Sequence, residues 1–99
     1  MGMKLPTRTP EKFPLGRIVI TPSALEAFKK SSESPHTYLT RHATGDWGKT
    51  RDEDRRLNDA AVGNGTRLLS SYHLRSGEVV WVLTEADRSA TTVLLPSEY

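Results

Sequence analysis

The sequence predicts an α+β fold of order β-α-α-α-β-β-β, with helices on one face of an antiparallel sheet of three to four strands. Two observations predict it. Helix start signals and helical apolar spacing dominate residues 21–62, and the period switches to two in the C-terminal third. The last three extended runs are joined by short connections, which makes them an antiparallel meander.

Each element has its own signal. Gly16 to Ile20 is a short β-branched run and reads as a strand whose place at a sheet edge is open. Thr21-Pro22 starts a helix, because threonine caps the free amides and proline suits the first helical position. Ala24, Leu25 and Phe28 mark its apolar face, and it ends near Ser31. Ser34-Pro35 repeats the start signal for a helix to about Ala43, with Tyr38 and Leu39 inward and Gly45 after its end. Thr50-Arg51-Asp52-Glu53 reads as a capping box. The helix it opens runs to about Val62 with Leu57, Ala60 and Ala61 inward, and Gly63-Asn64-Gly65 stops it. Strands follow at Thr66–Leu74, Val79–Thr84 and Ala90–Leu95, separated by turns at 75–78 and 86–89 and closed by Pro96. The expected core sets Leu25, Phe28, Tyr38, Leu39 and Leu57 against Leu69, Val80, Val82 and Val93.

A chain of 99 residues has room for one core. Residues 1–15 carry Pro6, Pro10 and Pro14 among basic and hydroxyl side chains and read as a flexible basic arm. Residues 16–99 read as the single domain. The chain has a formal net charge of +2, and the positive surplus lies in residues 1–17, leaving the body slightly acidic. A nucleic-acid-binding body carries a larger basic excess, so contact with nucleic acid through the arm is not favoured and the expected partner is a protein or a ribonucleoprotein. No apolar run approaches the ~20 residues of a membrane span. There are no cysteines, which excludes a disulfide framework or thiolate site and fits a cytoplasmic location.

Two polar motifs stand out. One is residues 41–48, with Arg41, His42, Asp46 and Trp47 between Gly45 and Gly48; the other is residues 84–92, with Glu85, Asp87, Arg88 and Thr91. His42 is either a helix-end histidine or a general base oriented by Asp46. Thr44, Ser89 and Thr91 are candidate nucleophiles only if folding brings them close. Trp47 is either a core plug or an exposed binding anchor. Asp87 suits a role accepting turn amides, and Arg88 one forked onto Glu85 or Asp46. If Asp46 and Arg88 meet, Trp47, Asp46, Asp87 and Arg88 form one binding patch. The histidines at 36, 42 and 73 lack metal-ligand spacing, the charges at 51–56 read as a solvated helix face, and no phosphate-binding glycine loop occurs. Neither metal nor cofactor is expected.

Residues 16–99 resemble a family of small bacterial proteins labelled plasmid-related or hypothetical. The resemblance rests on Gly16–Pro22, Arg41-His42 with Gly45–Gly48, Asn58, Arg67–Ser70 with Tyr72, and Trp81–Tyr99. It supplies no catalytic residues. It implies an accessory protein of plasmids or phages, and such proteins bind and block host defences such as CRISPR effectors and restriction enzymes. The expectation is therefore a binder of another macromolecule, possessing no catalytic set. The alternative is a small metal-independent ribonuclease with a RelE- or barnase-like fold, using side chains among His42, Arg67, His73, Arg88 and Tyr99.

Overall fold

The computed structural model describes residues 10–99. The order is β1 (Arg17–Ile20), α1 (Pro22–Ser31), α2 (Pro35–Ala43), α3 (Asp52–Asn64), β2 (Leu68–His73), β3 (Val79–Thr84) and β4 (Ala90–Leu94), closed by a 3₁₀ turn at Pro96–Glu98. This is the predicted α+β order. The start signals of α1 and α2 act as expected: Thr21 accepts the Ala24 amide, Ser34 accepts the His36 amide, and a proline opens both helices.

The sheet order is β1-β4-β3-β2, and it is mixed rather than purely antiparallel. β2–β3 and β3–β4 form the antiparallel meander. β1 lies parallel to β4, from Arg17 beside Ala90 to Ile20 beside Val93. Three helices and two strands separate β1 from β4 in sequence, and a crossover of that length permits the parallel pairing that a hairpin forbids.

Register assigns the two faces. Ser70, Tyr72, Val80, Val82, Thr84, Thr91 and Val93 share the inner face, where Tyr72, Val80, Val82 and Val93 pack with Ala24, Ala27, Phe28, Tyr38 and Leu39. A second cluster joins Phe13, Trp47, Ala61 and Leu68. Leu69, Ser71 and Trp81 point to the opposite face, so Leu69 does not join the expected helical core.

Further expectations change. The flexible arm was expected to reach residue 15. Residues 1–9 of it lie outside the described residues, but residues 12–15 are part of the folded domain. Phe13 is only 5% exposed, the Lys12 amide bonds the Ala43 carbonyl at 2.8 Å, and the Leu15 carbonyl accepts from Thr91. A lone phenylalanine among prolines and lysines gives no periodic signal, yet burying its ring contributes about 1.5–3 kcal/mol.

The capping box at Thr50 does not form. α3 starts one residue later, Arg51 holds the cap position, and no side chain caps it. Leu57 points outward and is 67% exposed, while Asn58, Ala61 and Val62 face inward. The cause is Asn58. Its amide donates to the Leu69 carbonyl at 2.9 Å and its oxygen accepts the Leu69 amide at 3.2 Å, which satisfies the free edge of β2. An unpaired buried peptide costs about 1–3 kcal/mol on each side, and that demand sets the rotation of α3 against the wish to bury a leucine. Leu25 of α1 is also exposed, at 41%.

Candidate functional site

The two polar motifs do meet, inside the protein and around His42. The last turn of α2 delivers the His42 ring to the inner face of the sheet, where it is wholly buried. Its Nδ1 lies 2.6 Å from Ser70 Oγ of β2, and its Nε2 lies 2.9 Å from Thr84 Oγ1 of β3. Thr84 Oγ1 is 2.7 Å from Thr91 Oγ1 of β4, and the Thr91 hydroxyl donates to the Leu15 carbonyl at 2.7 Å.

The carbonyl end fixes the direction of this chain. Leu15 can only accept, so the single Thr91 proton is spent there and Thr84 must donate to Thr91. Nε2 must then donate to Thr84, and Nδ1 accepts from Ser70. The chain thus fixes a proton on Nε2, and burial, which disfavours a second one, makes this the neutral Nε2–H tautomer. Phe13 meets its ring edge-on at 5.2 Å and Trp47 at 5.6 Å. Burial, with a smaller contribution from the Arg88 charge, pushes its pKa down to about 3.

The Asp46-oriented base is thus corrected. Asp46 is exposed and turned away from the ring. Its Oδ2 pairs with Arg41 Nε at 2.7 Å and its Oδ1 accepts the Gly48 amide at 3.1 Å. The Arg41 bond and the Gly48 amide hold its carboxyl below the usual range. The Asp46 carbonyl accepts the buried Tyr72 hydroxyl at 2.6 Å, and the Arg41 guanidinium lies 4.8 Å over the Tyr72 ring. Gly48 is obligatory: its φ is +74°, and a Cβ there would strike the Ser71 carbonyl and the Tyr72 ring.

Trp47 is a core plug, 4% exposed, with Nε1 donating to Asp59 at 2.9 Å. It stacks on Phe13 at 6.1 Å.

Arg88 does not reach Asp46. It stands in the β3–β4 turn with φ +61°, donates to the Ala61 and Thr66 carbonyls at 2.7 Å each, and lies 5.6 Å over the Phe13 ring. It thereby places a cation at the C-terminal end of α3, which has no basic residue in its own last turn. Asp87 accepts the Ser89 amide at 2.9 Å, as a turn residue should. The Glu85 carboxylate faces Arg67, 3.9 Å away, and Glu85 meets the Arg88 guanidinium only through its carbonyl, which accepts at 3.2 Å. The single patch of Trp47, Asp46, Asp87 and Arg88 does not exist: Trp47 is enclosed, and the three charges have separate partners.

The remaining candidates do not converge on His42. Arg67 lies over the Tyr99 ring at 5.7 Å, His73 is exposed at the end of β2, and Thr44 back-bonds to α2. Thr91 is buried and committed to the chain of hydroxyls. Among the described residues no group of three His, Asp or Glu side chains is placed to hold a metal ion.

A different surface is open. A groove of about 410 Å³ runs between α3 and the outward face of the sheet. Leu57, Leu69 and Trp81 supply its apolar lining, and Lys49, Arg51 and Arg67 are the cations along it, with Asp54 as the acid. A second hollow continues past Leu57 to Ala60 and Ala86. Tyr99, 63% exposed, meets Trp81 edge-on at 5.5 Å. The sequence reading missed this site because it placed Leu57 in the core. The signal that could have found it is Asn58, a polar residue at helical spacing with Ala61 and Val62.

Comparison with family models, with curated proteins and with solved structures finds no match to this chain. No helix of the described residues is long and apolar enough to cross a membrane.

Proposed function

We propose that this chain is a non-enzymatic accessory protein that acts by binding another macromolecule through the groove between α3 and the outer sheet face. The observation that carries this reading is a half-buried tryptophan and two arginines lining one open groove with an exposed leucine, since tryptophan and arginine are residue types that binding hot spots favour. The polar motifs give no competing site, since His42, Thr84 and Thr91 are sealed from substrate. The resemblance of residues 16–99 to plasmid-related proteins supports a partner in the host's defence machinery.

The test is expression in bacterial strains that each carry one active restriction system or CRISPR effector, challenged with phage or plasmid. Raised plating or transformation efficiency in one strain is expected. Leu57→Glu should remove the effect, and its exposed position keeps the stability change within about 0.5 kcal/mol. RNA cleavage by the purified wild type, or growth arrest on expression, would overturn the reading in favour of a ribonuclease.

A further inference from the structure

We infer that the groove takes a short acidic segment of a partner protein, one that offers an apolar side chain flanked by carboxylates. This deepens the binding reading above and rests on it. The groove has the volume of a ligand cleft, and its apolar centre, Leu57 with Trp81, suits a side chain of leucine or phenylalanine size.

Charge selects what surrounds that anchor. Lys49 is exposed and makes no ion pair among the described residues. Arg51 reaches Glu53 and Asp54 only at 3.7 and 3.9 Å, and Arg67 reaches Glu85 only at 3.9 Å. Such long, exposed pairs are worth little and exchange readily for an incoming carboxylate.

An independent observation points the same way. Among the described residues, Thr50 Oγ1 is the buried side-chain polar atom with no hydrogen-bond partner, and Thr50 lines this groove between Lys49 and Arg51. This hydroxyl has no acceptor within the fold, and a carboxylate entering beside Lys49 and Arg51 would supply one once the side chain turns into the groove.

The same geometry disfavours two other modes. A nucleic-acid strand carries a phosphate at every step and would have to pass Asp52, Glu53 and Asp54 in the first turn of α3, whereas a short segment can keep its carboxylates beside Lys49 and Arg67. Strand addition at β2 is blocked where the groove lies, because Asn58 takes the Leu69 peptide, the Ser71 amide goes to Trp47, and the Ser71 carbonyl goes to Lys49. Side chains, not backbone, must carry recognition.

The experiment is a ¹H–¹⁵N NMR titration of the purified protein with three probes. They are a blocked Asp-Glu-Phe-Leu-Glu-Asp peptide, its charge-reversed Lys-Arg-Phe-Leu-Arg-Lys counterpart and a deoxythymidine decamer. The acidic peptide alone should shift the Trp81 indole and the amides of residues 49–51. The Trp47 indole, bonded to Asp59 in the core, should stay still and mark the intact fold. Lys49→Glu should weaken the peptide about tenfold, and Leu57→Glu should abolish its effect. Equal or stronger shifts from the decamer or the basic peptide would overturn the inference, as would no shift with any probe. The same signals moving with protein concentration alone would assign the groove to a second copy and also overturn it. If Leu57→Glu removes the host-defence effect while the acidic peptide fails to bind, the inference falls and the binding reading stands. If the peptide binds while Leu57→Glu leaves the host-defence effect intact, the binding reading falls instead.

Discussion

Burying His42 in neutral form ties stability to pH. Its pKa falls from about 6.5 to about 3 in the folded state, chiefly through burial. The unfolded chain gains the proton as pH drops through 6.5, and the folded chain does not until about pH 3. The stabilisation is therefore complete above pH 6.5, declines through the window at roughly 1.4 kcal/mol per pH unit, and levels off near the folded value. The Asp46 and Glu33 carboxyls, also lowered, add their losses only in the carboxylate range. Urea unfolding should show a falling midpoint from pH 7 to pH 5. The fall should persist in a His36→Gln, His73→Gln double variant, because both of those histidines are exposed. A flat midpoint over that interval in the double variant would contradict a buried neutral His42. At this scale the sequence supplied the candidates but not their roles. His42 and Asp46 lie four residues apart in sequence, but α2 ends between them and turns one inward and the other out.

The elements divide by how local their causes are. The caps of α1 and α2 and the meander follow from neighbouring residues, and these were legible; the inward face of β2 was not, since Leu69 turns away from the helices. The rotation of α3 was not, because it answers to a peptide of β2 eleven residues further along the chain. The parallel setting of β1 and the docking of residues 12–15 depend on the finished sheet. Phe13 is the clearest case. It closes the second core cluster against Trp47 and Leu68, covers His42, and lies under Arg88. Phe13→Ala should cost about 3–5 kcal/mol, the range for removing a buried ring and leaving a cavity, measured by denaturant unfolding. A loss below about 1 kcal/mol would mean that this segment is peripheral to the domain.

At the scale of the whole molecule, inside and outside have separate tasks. The residues that looked most like chemistry, His42, Thr84, Arg88 and Thr91, join α2, α3, β2, β3, β4 and residues 13–15 into one body. Leu57, which the sequence places in the core, instead lines the open groove with Trp81. Sequence pattern alone could not separate them, since a polar residue spent on internal bonds and one offered to a partner have the same chemistry until the fold places them. Because the His42 ring bonds β2 and β3 directly and reaches β4 and the Leu15 carbonyl through the threonines, its protonation state reports on the entire arrangement. The most direct test is a ¹⁵N-edited NMR titration of the His42 imidazole from pH 8 to pH 4. The account predicts a single neutral Nε2–H tautomer, with a protonated Nε2 and an unprotonated Nδ1, unchanged across that range. A ring that titrates near the ordinary histidine value, or one that holds its proton on Nδ1, would contradict the closed network and return His42 to the list of groups available for catalysis.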